Sequence, residues 1–246
     1  MDVAKKLKTA FNAEADVAGA GRRLYHCIPV VPEGGQINPS LNYGTDIPPA
    51  VMDKLGIQKG EKVPLVFASE FLGKALAFGF RGMDDEKLMN GSVEGSDVEY
   101  VLVCNRDVTM SKERSATVFS FSDEGFVDLE QDRRQSVSTN PVPFDKTQEA
   151  VKIKNAGDMM RAGLQVFSFK EGARELDGYR FVYKTMEERG LTFYQFLGEM
   201  MKEGRVIWEN DARNVNPHPV FKEILADYLP ATSADIKAVR NISPKF

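Results

Sequence analysis

The pattern of hydrophobic and polar residues predicts a short helix and then a strand in the first part of the chain. Val3, Leu7 and Phe11 recur at helical spacing with lysines on the other side, which predicts a surface helix within residues 1–21. The segment RLYHCIPVV, residues 23–31, is rich in β-branched and aromatic residues. It predicts a strand that ends at one of the neighbouring prolines.

A loop, a short helix, a second strand and a second helix are predicted next. Residues 32–50 contain four prolines and three glycines, so we expect a long irregular loop of the kind that often carries function. The segment DIPPAVMDKLGI predicts a short helix that begins at a proline, and VPLVFAS predicts a strand. EFLGKALAFGF then places Phe71, Ala75 and Phe78 on one face of a helix.

The middle of the chain is rich in short predicted strands, and the last part is helical. Apolar and β-branched residues predict strands in VEYVLVCNRDV, ATVFSFS, GFVDLE, RQSVSTNPVPF, EAVKIKNA and LQVFSF. From residue 177 the pattern is helical. Thr192 and Gln195 have capping-box spacing, Gly204 stands where that helix ends, and HPVFKEILADYL predicts another helix. Strands and helices do not alternate regularly, so the sequence predicts an α+β fold.

The composition is typical of a soluble globular protein. Of 246 residues, 42% are hydrophobic and 28% are charged, and the formal net charge is −4. No apolar segment approaches the roughly 20 residues of a membrane helix and there is no secretory leader, so we expect a cytoplasmic protein that binds no membrane. The 32 basic residues are scattered among 36 acidic ones, which argues against stable nucleic-acid binding.

The motifs of several large enzyme classes are missing from the sequence. It contains no P-loop, no glycine-rich dinucleotide motif, no serine nucleophile elbow and no HExxH zinc motif. His26 and His218 are the only histidines and lie far apart in the chain, so we expect no metal site. Cys27 and Cys104 have neither metal-ligand nor disulfide spacing, and we expect both to be buried thiols in a reducing compartment.

The order of the remaining motifs resembles the ADP-ribosyltransferase superfamily. LYH lies on the first predicted strand, and VFAS lies on the second and is followed by a helix with small and aromatic residues. GFVDLEQDRRQSVSTNPV covers the third. The branch concerned carries His, Tyr and an acid or Gln at these places. The resemblance implies an α+β fold with a split β-sheet core and short helices over residues 22–170. A mainly helical region, residues 171–246, follows that core.

The resemblance also implies a reaction and a set of site residues. The reaction is transfer of ADP-ribose from NAD, the substrate, to a macromolecule. The acceptor is expected to be a protein, as for bacterial or phage effectors that act in a host cytoplasm. His26 would orient the NAD ribose, Phe67 would stack on nicotinamide, and Gln135 would align the reacting ribose. Further contacts with NAD would come from Cys27, Ser40, Tyr43, Ser69 and Phe78.

The chemistry of NAD explains why such residues belong together. The bond between nicotinamide and ribose breaks toward an oxocarbenium-like state, which requires an oriented carboxamide, an aromatic wall and an acceptor for the ribose hydroxyls. A carboxylate fills the last role best, because it also stabilises positive charge. The side chain of Gln135 aligns the ribose but stabilises the cation only through its dipole.

Three positions depart from the family pattern, and they leave several functions open. Cys27 stands where many members have Gly, Phe67 where a Tyr is common, and Gln135 in place of the usual acid. Three functions remain possible: an active transferase, a weak NAD hydrolase, or a catalytically inactive structural or partner-binding module. An RNA-end 2′-phosphotransferase shares the superfold, but the acidic composition and the lack of a paired His-Arg set argue against it.

Each of these residues also has a purely structural interpretation. His26 can be a buried imidazole with both nitrogens hydrogen-bonded, and the phenylalanines can be core residues. Ser40 and Ser69 can cap turns or a helix, and Gln135 can be a solvated strand residue.

Overall fold

The computed structural model combines helices with several small sheets, which confirms the α+β prediction. It describes residues 22–28, 33–40, 47–58, 61–81, 87–94, 96–104, 116–129, 135–144, 151–170 and 179–229. The helix predicted within residues 1–21, the side chain of Tyr43 and the tail after Pro230 lie outside these residues.

Twelve strands and seven helices occur in the described ranges. The strands are β1 (Arg23–Ile28), β2 (Gln36–Ile37), β3 (Val66–Ala68), β4 (Lys87–Ser92), β5 (Glu99–Val103), β6 (Ala116–Ser122), β7 (Val127–Asp128), β8 (Ser136–Ser138), β9 (Val142–Pro143), β10 (Val151–Ile153), β11 (Gln165–Phe169) and β12 (Val206–Trp208). The helices are α1 (Pro49–Leu55), α2 (Leu72–Arg81), α3 (Ala156–Arg161), α4 (Tyr179–Arg189), α5 (Phe193–Lys202), α6 (Glu209–Ala212) and α7 (Pro219–Ile224).

The first layer consists of two three-stranded antiparallel sheets that meet at one point. β1 lies beside β6, which pairs with β10, while β3 pairs with β8 and β8 with β7. A β-bridge joins the two sheets where Tyr25 of β1 faces Ser69 at the end of β3, with N–O distances of 2.6 and 2.9 Å. The strand order is therefore β10-β6-β1, then β3-β8-β7.

The second layer is a four-stranded sheet that the C-terminal part of the chain completes. Its order is β12-β11-β5-β4, with β11 and β5 parallel. β12 comes from the region after residue 171 and pairs with β11, so that Trp208 faces Phe167. These two rings pack with Phe196 of α5 and Phe221 of α7 in one core, which holds the C-terminal helices on this sheet.

Helix α2 lies between the two layers and contacts both β1 and β5. Ala75, Leu76 and Ala77 of this helix are buried with Cys27 and Val101 from the strands on either side. The small side chains allow the helix to approach both strands closely. As α2 directly follows β3, it also fixes the end of β3 next to β1.

Several helix boundaries follow the predicted signals. Pro49 opens α1, and Gly56 ends it with a φ of 69°. The capping box predicted at Thr192 and Gln195 is present at the start of α5, and Gly204, with a φ of 70°, follows its end. Strands β4 and β12 and the short helices α3 and α6 had no predicted counterpart, and the two-residue strand β2 lies within the segment that was predicted to be an irregular loop.

Candidate functional site

The three strands that carry the motifs of the resemblance are neighbours. β1 carries His26, β3 carries Phe67, and Gln135 immediately precedes β8. Tyr25 faces Ser69 across the bridge, and Ala68 faces Ser136 in the β3–β8 ladder. Segments that lie more than a hundred residues apart in sequence therefore meet within two strand spacings, about 10 Å.

His26 lies where β1 and β3 separate. Its Nδ1 is 2.6 Å from the carbonyl oxygen of Phe67. From the Tyr25–Ser69 bridge, an antiparallel ladder would next pair this carbonyl with the amide of Cys27. The imidazole takes that partner instead and links the two strands at this point.

The hydrogen bond to Phe67 fixes the tautomer of His26. A carbonyl oxygen only accepts, so Nδ1 must carry the proton. Burial lowers the pKa of His26, although the bond to the Phe67 carbonyl opposes that shift. The neutral ring therefore leaves a lone pair on Nε2, which has no hydrogen-bond partner among the residues that the structure describes.

The ring of Phe67 belongs to a small apolar cluster beneath α1, which we call the α1 cluster. Phe67 faces Val137 across the β3–β8 ladder and is half-buried against the cluster. The fully or nearly buried members of the cluster are Val51, Ile57, Leu65, Leu129 and Val137. Phe67 thus contributes its carbonyl to His26 and its ring to packing.

Gln135 is a largely buried amide beside the end of β3. It is 9% exposed, so its interpretation as a solvated strand residue is wrong. Its backbone carbonyl accepts a hydrogen bond from Leu129, at 2.8 Å. It lies one residue beyond the Ala68–Ser136 pair and therefore next to Ser69. No side-chain hydrogen bond of Gln135 to another described residue is present, and its carboxamide is not one of the fully buried, unpartnered polar groups of the described chain.

The other residues of the predicted set are more dispersed. Ser69 is buried, and its Oγ accepts a hydrogen bond from Phe71 at 3.0 Å, so it caps the turn that leads into α2. Phe78 lies half-buried on α2. Ser40 pairs through its backbone with Leu65, at the other end of β3, about 13 Å along the strand from Ser69. Tyr43 lies outside the described residues.

Cys27 packs against α2 at a glycine. A Cβ atom on Gly79 would lie 2.3 Å from the Sγ of Cys27, so only glycine fits opposite this thiol. Burial raises the pKa of Cys27 to about 12, which keeps the thiol protonated and unreactive. Cys27 and Cys104 are both buried, as expected. The side chain of Cys27 is accommodated by a glycine on α2.

A charged cluster that the sequence analysis missed ties the same strands together. Arg22, just before β1, donates through Nη2 to Asp128 of β7 and to the Oγ of Ser136, the latter at 3.2 Å. Ser136 in turn donates to Asp128 at 2.6 Å. The hydrogen bond from Arg22 lowers the pKa of Asp128 and raises that of Arg22. Because these partners lie 106 and 114 residues from Arg22, no local pattern indicates them.

No protein-family model, curated protein or solved structure matches the chain. Within the described ranges, no group of three or more His, Cys, Asp or Glu side chains is arranged to hold a metal ion. No helix in those ranges is long and apolar enough to cross a membrane.

Proposed function

We propose that this chain is an NAD-dependent ADP-ribosyltransferase with the split β-sheet of that superfamily. NAD would lie at the gap between β1 and β3. The acceptor would be a macromolecule, most simply a protein. The proposal is supported by the neighbouring positions of β1, β3 and the residue before β8, which the resemblance requires and which local sequence does not dictate.

His26 has the chemistry to orient a ribose. With Nδ1 held by the Phe67 carbonyl, Nε2 of the neutral ring accepts a hydrogen bond from a hydroxyl group. The fixed tautomer means that no reorganisation is needed when the substrate arrives. The Cys27 backbone, beside His26, would meet the nicotinamide carboxamide, and Ser40 and Tyr43 would contact the adenosine half.

Gln135 carries the proposal most directly. Gln135 lies beside Ser69 at the end of β3, and its carboxamide can both donate a hydrogen bond to and accept one from the hydroxyls of a ribose bound there. In the reaction, the bond between the nicotinamide nitrogen and ribose C1′ breaks, and nicotinamide leaves with the bonding electron pair. The acceptor nucleophile then bonds to C1′ and loses its proton. Gln135 would hold the ribose hydroxyls, while Phe67, Ser69 and Phe78 would border the nicotinamide.

Two observations favour a second candidate, an ADP-ribosyltransferase-like domain that binds a partner without catalysis. The ring of Phe67 packs in the α1 cluster, and Gln135 brings no charge to the site. A site that lacks a carboxylate stabilises the developing cation weakly. This candidate predicts no release of nicotinamide from NAD.

Release of nicotinamide from NAD, measured with the full chain, tests the proposed function. We expect turnover by the native protein, and its loss in His26→Ala and Gln135→Leu. His218→Asn is the matched control, because His218 caps α7 through its Nδ1 and Asn retains that capping ability. Transfer of labelled ADP-ribose to proteins of a cell extract would then identify an acceptor. Absence of nicotinamide release by the native protein would favour the non-catalytic candidate.

A further inference from the structure

The contact between Arg22 and Ser136 connects two strands that are not neighbours. β3 lies between β1 and β8, so the two strands share no ladder. The guanidinium of Arg22 nevertheless reaches across β3 to the Oγ of Ser136, at 3.2 Å. Ala68, which pairs with Ser136, is small, and the Arg22 side chain can therefore cross β3 at this row.

The hydroxyl of Ser136 makes hydrogen bonds with two partners, Arg22 and Asp128. Its Oγ accepts from Arg22 and donates to Asp128, and the residue is 2% exposed. Although Arg22 and Asp128 are partly exposed, the buried Ser136 hydroxyl both accepts and donates, and these two bonds favour one orientation of it. The residue directly before it is Gln135, so an immobile Ser136 limits the positions that the Gln135 backbone can adopt.

The same cluster reaches the strand of His26. Arg22 lies four residues before His26, next to β1. The Nη1 atom of Arg22 lies 3.7 Å from Oε2 of Glu70, just after β3, and its Nε lies 3.8 Å from Oδ2 of Asp123, just after β6. These two ion pairs restrain the guanidinium. Arg22 is thus restrained relative to β1. Because it also hydrogen-bonds Ser136, it restrains the position of β8 relative to β1.

We propose that Arg22, Asp128 and Ser136 are positioning residues that set the separation between His26 and Gln135. The inference rests on the proposed function, since it concerns the same NAD site. None of the three touches NAD in this account. They act by holding two strands at a fixed distance, and a misplacement of about 1 Å at a reacting centre lowers rates by roughly a hundredfold.

Ser136→Ala is the sharpest test, with Ser138→Ala as its matched control. Both serines are 2% exposed and lie on the same face of β8, but among the described residues Ser138 hydrogen-bonds locally, to the backbone of Asn140. We expect kcat for nicotinamide release to fall about 10- to 100-fold in Ser136→Ala, with a smaller change in KM. Ser136→Thr, which keeps the hydroxyl, should restore most of the rate, and Ser138→Ala should leave it unchanged.

A spectroscopic readout separates this inference from the proposed function. With only two histidines in the chain, the imidazole nitrogens of His26 can be assigned by comparison with His26→Ala. We expect Ser136→Ala to shift the His26 Nδ1 resonance, because β1 and β3 then pack differently, and Ser138→Ala to leave it in place. If the native protein neither binds nor cleaves NAD, the proposed function fails while this shift still tests the cluster. Equal spectra and equal rates for the two alanine variants would overturn the positioning role.

Discussion

The Nδ1 atom of His26 lies 2.6 Å from the carbonyl oxygen of Phe67, and this contact bridges β1 and β3 where their ladder ends. It explains why a histidine is useful at this position whatever the ligand is. The ring satisfies a carbonyl that would otherwise lose its partner, and it presents its second nitrogen outward from that bond. Nδ1 of His26 therefore has a structural role, and Nε2 is the nitrogen that is proposed to bind a ligand.

The pH dependence of stability should report the environment of His26. Its folded-state pKa is lowered by burial, so between that pKa and the ordinary value near 6.5 the unfolded chain binds more protons. The contribution of His26 to stability is then complete above about pH 6.5 and declines as the pH falls. Urea unfolding between pH 5 and 7.5 should show a shallower decline in His26→Asn than in the native protein. Parallel profiles for the two proteins would contradict this assignment, and His218→Asn serves as the control.

Replacing Gln135 by Glu should accelerate cleavage of NAD. A carboxylate at this position would stabilise the oxocarbenium-like state by its full charge, whereas the amide offers only a dipole. We expect kcat for nicotinamide release to rise about tenfold or more in Gln135→Glu. Gln135→Leu, which keeps a similar volume without polar atoms, should be inactive. Rates for Glu no higher than for Leu would show that residue 135 does not face the reacting ribose.

Gly79→Ala should destabilise the fold through one specific clash. The new methyl group would lie 2.3 Å from Cys27 Sγ and 3.0 Å from its Cβ, so the helix or the strand must shift. We expect a loss of about 1–3 kcal/mol in the free energy of unfolding. In the Cys27→Ala background the same substitution should cost less, because the sulfur is gone. Gly34→Ala, where the added Cβ meets nothing within 4 Å, is the control. Additive effects of the Cys27 and Gly79 substitutions would contradict the packing described.

Asn210→Ala should be strongly destabilising. The amide is fully buried, its Oδ1 accepts from the Val166 amide at 2.8 Å, and its Nδ2 donates to Leu164 and Val215, both at 3.1 Å. Removing it takes this partner from two buried backbone groups and from the half-buried Val215 carbonyl, and we expect a cost of at least about 2 kcal/mol. Denaturant unfolding measures this, with the exposed Asn140→Ala as the control. A loss in the free energy of unfolding of less than about 1 kcal/mol would contradict this prediction, because it would mean that water replaces the hydrogen bonds of the side chain.

Local signals were sufficient for several elements. The capping box of Thr192 and Gln195 and the stop at Gly204 predicted α5, and the apolar segment ATVFSFS predicted β6, because both patterns act within a few residues. Strand β4, KLMNGS, carries polar residues and a glycine, so its pairing with β5 depends on tertiary context. Helix α3 is only six residues long and depends on its Asn155 cap.

The residues of the candidate site could be predicted from the sequence only through the order of the motifs along the chain. The resemblance indicated His26, Phe67 and Gln135, but no local pattern places their strands side by side. The cluster of Arg22, Asp128 and Ser136 was missed because it forms between residues more than a hundred positions apart. Likewise, the fit between Cys27 and Gly79 depends on how α2 packs on β1, which periodicity alone does not specify.

A calorimetric titration of NAD into the full chain tests the central claim most directly. We expect saturable binding at one site by the native protein. Binding should be weakened at least about tenfold in His26→Ala and in Gln135→Leu, because each substitution removes a hydrogen bond to the ribose. Ser138→Ala should bind as the native protein does. No binding by the native protein, or equal affinity in all four proteins, would contradict the proposal that β1, β3 and the residue before β8 form one NAD site.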